Sequence, residues 1–190
     1  MWFLAIFTFV LSVVVLGLSI FPGPLEMAPP TASRIAGGAY MVFAATAIIR
    51  HVHRSRQTEK SIQRGSVAAM LLLLASTPTL LWFDVPRRLV FCYHASEFES
   101  LLSDAPLPAN RAIVPLNANL SVYWVDQWGT DSRGGTYLRT MSGRADGKAD
   151  RRSFGFVHKP NAVGSPFGDD RYELRHLTGD WYSFSATDDR

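Results

Sequence analysis

Five histidines and one cysteine are the side chains of this chain best suited to chemistry. His158 and His176 each close an apolar alternating run, beside Lys159 and Arg175. With Asp126, Asp131 and Ser132 they could compose a Ser/His/Asp set, the imidazole taking the serine proton and the carboxylate holding the ring. No G-x-S-x-G elbow accompanies them. Cys92-x-His94, read as a strand, puts thiol and imidazole on one face, as a thiolate–imidazole pair or half a metal site would need. No second CxxC or HxxxH supplies the other half. His51-x-His53 offers two ligands where zinc takes three or four, and it sits among positive charges. Asp146-Gly147-Lys148-Ala149-Asp150 lacks the spacing and the closing glutamate of a calcium loop. No metal and no cofactor is therefore expected. A binding role is favoured over catalysis. The alternative is a hydrolase-like enzyme using His158, His176 and an Asp.

The candidate recognition element is a long loop. Pro160 to Asp170 carries Phe167 between Pro166 and Gly168, an aromatic anchor with rigid neighbours. Phe167, Trp128 and Tyr137 are the expected binding residues. The plainer expectation for Phe167 is that it tucks back over the sheet as a plug.

These residues must be positioned by a tail, residues 84–190. Leu89 to Tyr93 reads as a β-like run. Ala95 to Ala105 reads as a helix, with Phe98, Leu101 and Leu102 on one face and Ser96 as cap, stopped by Pro106 and Pro108. From Asn117 the pattern is strands: Leu120 to Val125, Thr136 to Met141, Ser153 to Lys159, Arg171 to Leu177 and Trp181 to Ala186. Ser142 to Arg152 reads as a loop. Thr178-Gly179-Asp180 is a hairpin signal. The expected tail is α+β, one helix packed on an antiparallel meander.

Ahead of the tail stand three uncharged apolar stretches, at about 2–21, 35–49 and 67–83. A helix of about 20 apolar residues crosses a bilayer, so these predict three transmembrane helices in a membrane domain of residues 1–83. A cleaved signal peptide is disfavoured, because no Lys or Arg precedes the first stretch. The link between the second and third carries Arg50, Arg54, Arg56, Lys60 and Arg64 against Glu59 alone. Positive charge marks the cytoplasmic side, which puts the amino terminus inside and the tail outside a plasma (inner) membrane, multi-pass.

Charge narrows the partners. Residues 1–83 hold six Lys/Arg and two acids, and the tail thirteen and fourteen. The basic excess therefore belongs to the 50–64 link, a surface for anionic headgroups, and no nucleic-acid face is indicated on the tail. The expected partners are the lipid bilayer and a protein, met through the exported domain. A structural subunit of a membrane complex is a further alternative, docking through the small-residue second stretch with Gly37 and Gly38.

Overall fold

The computed structural model describes residues 2–24, 72, 76–104, 106, 108, 112–144, 151–161 and 164–188. Backbone contacts divide the chain into two units, residues 1–19 with 30–86, and residues 20–29 with 87–190.

In the first unit, α1 spans Trp2–Ser19 and residues 76–82 are helical. Among the described residues no helix is long and apolar enough to cross a membrane. This overturns the expected three transmembrane helices, and with them the multi-pass plasma-membrane placement and the inside/outside assignment. The 18 residues of α1 rise about 27 Å against a hydrocarbon core of about 30 Å, at the short end of the roughly 17–25 residues a crossing helix takes. The described helical residues at 76–82 end where the backbone turns at Asp84 (φ 52°). The 35–49 stretch, with Gly37 and Gly38, lies outside the described residues. So do His51, His53, Arg50, Arg54, Arg56, Lys60, Arg64 and the 146–150 segment.

The second unit is built on a six-stranded antiparallel sheet. Its strands are β1 (Ile113–Leu120), β2 (Tyr123–Thr130), β3 (Thr136–Arg144), β4 (Arg151–His158), β5 (Asp170–Thr178) and β6 (Trp181–Asp188), in spatial order β1-β2-β3-β4-β6-β5. The expected meander is thus broken once, since β6 lies between β4 and β5. Two further boundaries differ from the sequence reading. The supposed strand Leu120 to Val125 contains a hairpin turn, with Leu120 opposite Tyr123 and Ser121 at φ 58°. Ser-Val is none of the Asn-Gly, Asp-Gly or Gly-Gly pairs that mark two-residue hairpins, so alternation ran straight through it. Likewise, β3 and β4 reach into the supposed 142–152 loop.

The helix α2 spans Val85–Asp104 and includes the supposed β-like run. Arg87, Phe91 and Phe98 are its buried residues, spaced as one helical face. A five-residue apolar run suits strand or helix equally, and packing decides here. Phe91 lies tilted 4.8 Å from Phe156 and 5.3 Å from Trp181, and Phe98 lies 5.4 Å from Phe156. Tyr123 joins them 4.7 Å from Phe156. Arg87 reaches Ser183 Oγ and the Phe21 carbonyl from the same side, at 3.4 and 3.5 Å.

Among the described residues of this unit, no helix packs on the other face of the sheet. Because β4 and β5 both run antiparallel to β6, they run parallel to each other. His158 meets Trp181 at one end of β6, and Asp170 meets Thr187 at the other. Residues 159–169 must therefore travel back along β6, over about 20 Å of strand. This strap lays Phe167 on Phe184, with ring centroids 6.0 Å apart and planes 11° apart. Tyr137, Val157 and Ala186 complete that second buried cluster.

Candidate functional site

The expected recognition residues are all internal. Phe167, Trp128 and Tyr137 are buried. Tyr137 and Phe167 share the strap-side cluster, whereas Trp128 belongs to the cluster that holds Phe91 and Phe98. The structure thus separates Trp128 from the other two and presents none of the three to solvent.

Tyr137 instead anchors the strap. Its hydroxyl lies 3.2 Å from Asp131 Oδ2 and 3.1 Å from the Gly164 carbonyl, donating to one of them, and it accepts from Asn161 N–H at 3.2 Å. Tyr172 OH stands 2.9 Å away. Asp131 accepts at Oδ1 from the N–H groups of Arg133 and Gly135, and at Oδ2 from Asn161 N–H. Burial pushes the Tyr137 phenol well up, with the Tyr172 hydrogen bond adding to it. Burial likewise pushes Tyr172 up to about 12, against the opposing Tyr137 hydrogen bond. Both are neutral donors at physiological pH. This carboxylate is fully engaged as a backbone clasp. Asp126 is engaged too, paired side-on with Arg139 at 2.6 to 3.1 Å, and Arg139 lies under the Phe167 ring.

The two histidines of the supposed catalytic set do not converge. His158 packs on Trp181 at 5.0 Å and His176 on Tyr182 at 5.1 Å. Trp181 and Tyr182 are consecutive in β6, so their side chains, and the histidines on them, lie on opposite faces of the sheet. His176 is exposed and bonds the Gly179 carbonyl through Nε2 at 2.9 Å. Cys92 and His94, two apart on a helix, also diverge. His94 Nδ1 lies 2.6 Å from Ser121 Oγ and 3.2 Å from Glu97 Oε1. A relay needs serine and carboxylate on different ring nitrogens; here both meet Nδ1, so the trio ties helix to hairpin and cannot pass a proton along.

Among the described residues a cleft of about 270 Å³ opens where α2 meets the end of the sheet. Cys92, Ala95 and Glu99 line it from α2, at spacings that put them on one helical face. His158 and Trp181 line it from paired strands, and Thr178, Gly179 and Asp180 from the β5–β6 turn. Desolvation lowers the His158 pKa, and the Lys159 ammonium lowers it further, against the pull of Asp180 and Glu99. The ring is therefore neutral at pH 7, able to donate from one nitrogen and accept at the other. Lys159 Nζ lies 3.9 Å from Asp180 Oδ2, both side chains being about two-thirds exposed. Among the described residues no hydrogen bond joins Cys92 to His158, and no group of three or more His, Cys, Asp or Glu could hold a metal.

Sequence reading missed Glu99 and Asp180 as partners of His158. The signal was present in the spacing of Cys92, Ala95 and Glu99, but it is visible only once residues 89–93 are taken as helix. No family model matches the chain, and neither does any curated protein or solved structure.

Proposed function

We propose that the second unit is a small binding domain, and that its cleft at His158 receives a basic side chain of a protein partner. One observation carries this reading: two carboxylates, Glu99 and Asp180, stand with a neutral imidazole around a single concave mouth. A guanidinium suits such a mouth, since its planar fork can meet a carboxylate with two hydrogen bonds. Lys159 supports the same chemistry from within the chain, as its ammonium already lies at the rim beside Asp180. Binding is favoured over hydrolysis because the acids a serine relay would need, Asp126 and Asp131, are engaged in an ion pair and a backbone clasp.

The test is selection of a displayed random-peptide library on the full chain. Enriched peptides should share an Arg or Lys. Glu99→Gln with Asp180→Asn should weaken the best of them by about tenfold, the worth of one charge-assisted hydrogen bond. Enriched peptides without a basic residue, or binding indifferent to the double variant, would overturn the reading.

A further inference from the structure

The helix α1 is partitioned the wrong way round for water. Among its described side chains, the buried positions are hydroxyls: Thr8 and Ser12 are each 2 % exposed and Ser19 is 5 % exposed. These recur at i, i+4 and i+11, one helical face. Its outward positions are large and apolar: Ile6, Phe7, Phe9, Val10, Val13 and Val14 are between 48 % and 56 % exposed. At about 100° per residue those six positions sweep roughly half the circumference. No charged residue occurs anywhere in the 18 residues. A water-facing helix carries its charges outward, and α1 carries none.

Width and company decide what covers this face. A second helix or a protein groove covers a stripe, as in a coiled-coil seam using about two positions in seven. Half a circumference is more than one such partner reaches, whereas an acyl layer wets all of it. Trp82 and Phe83, in the same unit, are also exposed, at 84 % and 59 %. Trp is the residue that sits at headgroup level. The sequence also carries the run Arg50, Arg54, Arg56, Lys60 and Arg64, whose charge complements anionic headgroups.

We propose that the outward face of α1 is a lipid-contacting surface, resting in one leaflet of an anionic bilayer without crossing it. The hydroxyl face stays in the protein. The apolar half-cylinder lies among acyl chains near the interface, where its apolar area is removed from water.

The experiment uses the full chain with vesicles of phosphatidylcholine and phosphatidylglycerol containing a phosphatidylcholine that bears a photoreactive diazirine on its acyl chain. After illumination, adducts are mapped by mass spectrometry. Adducts on Phe7, Val10, Val13 and Val14, sparing Thr8 and Ser12, are the expected result. Val10→Glu with Val14→Glu should lower vesicle co-sedimentation by about tenfold or more, because a charge is costly among acyl chains. Should that variant fail to fold, the adduct map on the unaltered chain still decides. Four results would overturn the proposal. One is absence of α1 adducts. Another is adducts shared equally by both faces of α1. A third is binding that needs phosphatidylglycerol yet leaves α1 unlabelled, which assigns the contact to the basic run alone. The last is chain-to-chain cross-linking through α1 in the absence of lipid, which makes a second copy the occupant.

Discussion

The two faces of the sheet are covered by different means. On one face α2 contributes Phe91 and Phe98 to an aromatic cluster with Phe156, Trp181 and Tyr123. On the other, Phe167 is the described strap residue in the buried cluster, and a polar clasp of Asp131, Tyr137 and Tyr172 holds the strap down. Backbone hydrogen bonding explains the contrast. A helix satisfies its own N–H and C=O groups and can cover a face with apolar side chains alone. A strap cannot, and its buried amides and carbonyls need side-chain partners. Asn161 N–H and the Gly164 carbonyl find them in Asp131 and Tyr137. Ser165 does the same inside the strap, its hydroxyl donating to the Gly168 carbonyl and accepting from Phe167 N–H.

The sharpest way to break this comparison is at the helix-covered face. Phe98→Ala should cost about 3–5 kcal/mol, a large part of a small domain's stability. Urea unfolding would read this as a lower midpoint at unchanged slope. A loss below about 1 kcal/mol would mean that the cluster is not the main core.

Phe167→Ala should come next, at about 3 kcal/mol, because the ring is stacked and buried but sits on a single strap. Here hydrogen exchange is the informative measurement. Amides of residues 164–169 should exchange faster while those of α2 stay protected. Equal loss of protection in both would show that the two faces unfold as one.

Tyr137→Phe removes only the hydroxyl and should cost about 1–3 kcal/mol, since it takes a hydrogen-bond partner from the Gly164 carbonyl and from the Tyr172 hydroxyl. Calorimetry would give the loss. A neutral outcome would transfer the role of the clasp to Asp131 alone.

The smallest expected effect concerns pH and tests the helix-side cleft. His158 binds a proton less readily when folded than its ordinary value of 6.5 implies. The unfolded chain therefore takes up more protons as pH falls below about 6.5, and stability declines there while being complete above it. Thermal melts from pH 7.5 down to 5 should show a decline that is flatter in His158→Gln. Identical profiles would remove His158 as the titrating group.

Legibility followed locality. The hairpin at Gly179-Asp180, the stop at Pro106 and the α+β character of the tail could be read because each rests on neighbouring residues. The turn at Ser121-Val122 could not, as its positive φ is held by long-range company, including the 2.6 Å contact of Ser121 with His94. The cleft stayed hidden for a related reason. Its residues come from α2, β4, β6 and the β5–β6 turn, and a misread helix start scattered them.

Composition and alternation by themselves determined that the tail would pair strands antiparallel under an aromatic core, because side-chain period is a property of the local chain. They also determined that α1 is a helix without charge. Only the tertiary structure decided that β6 enters between β4 and β5. That insertion forces the strap along the sheet and takes Phe167 inside. It also places Trp181 and Tyr182 to hold His158 and His176 on opposite faces. Strand order is set by the free energy of burying both faces at once, and no single segment contains that information.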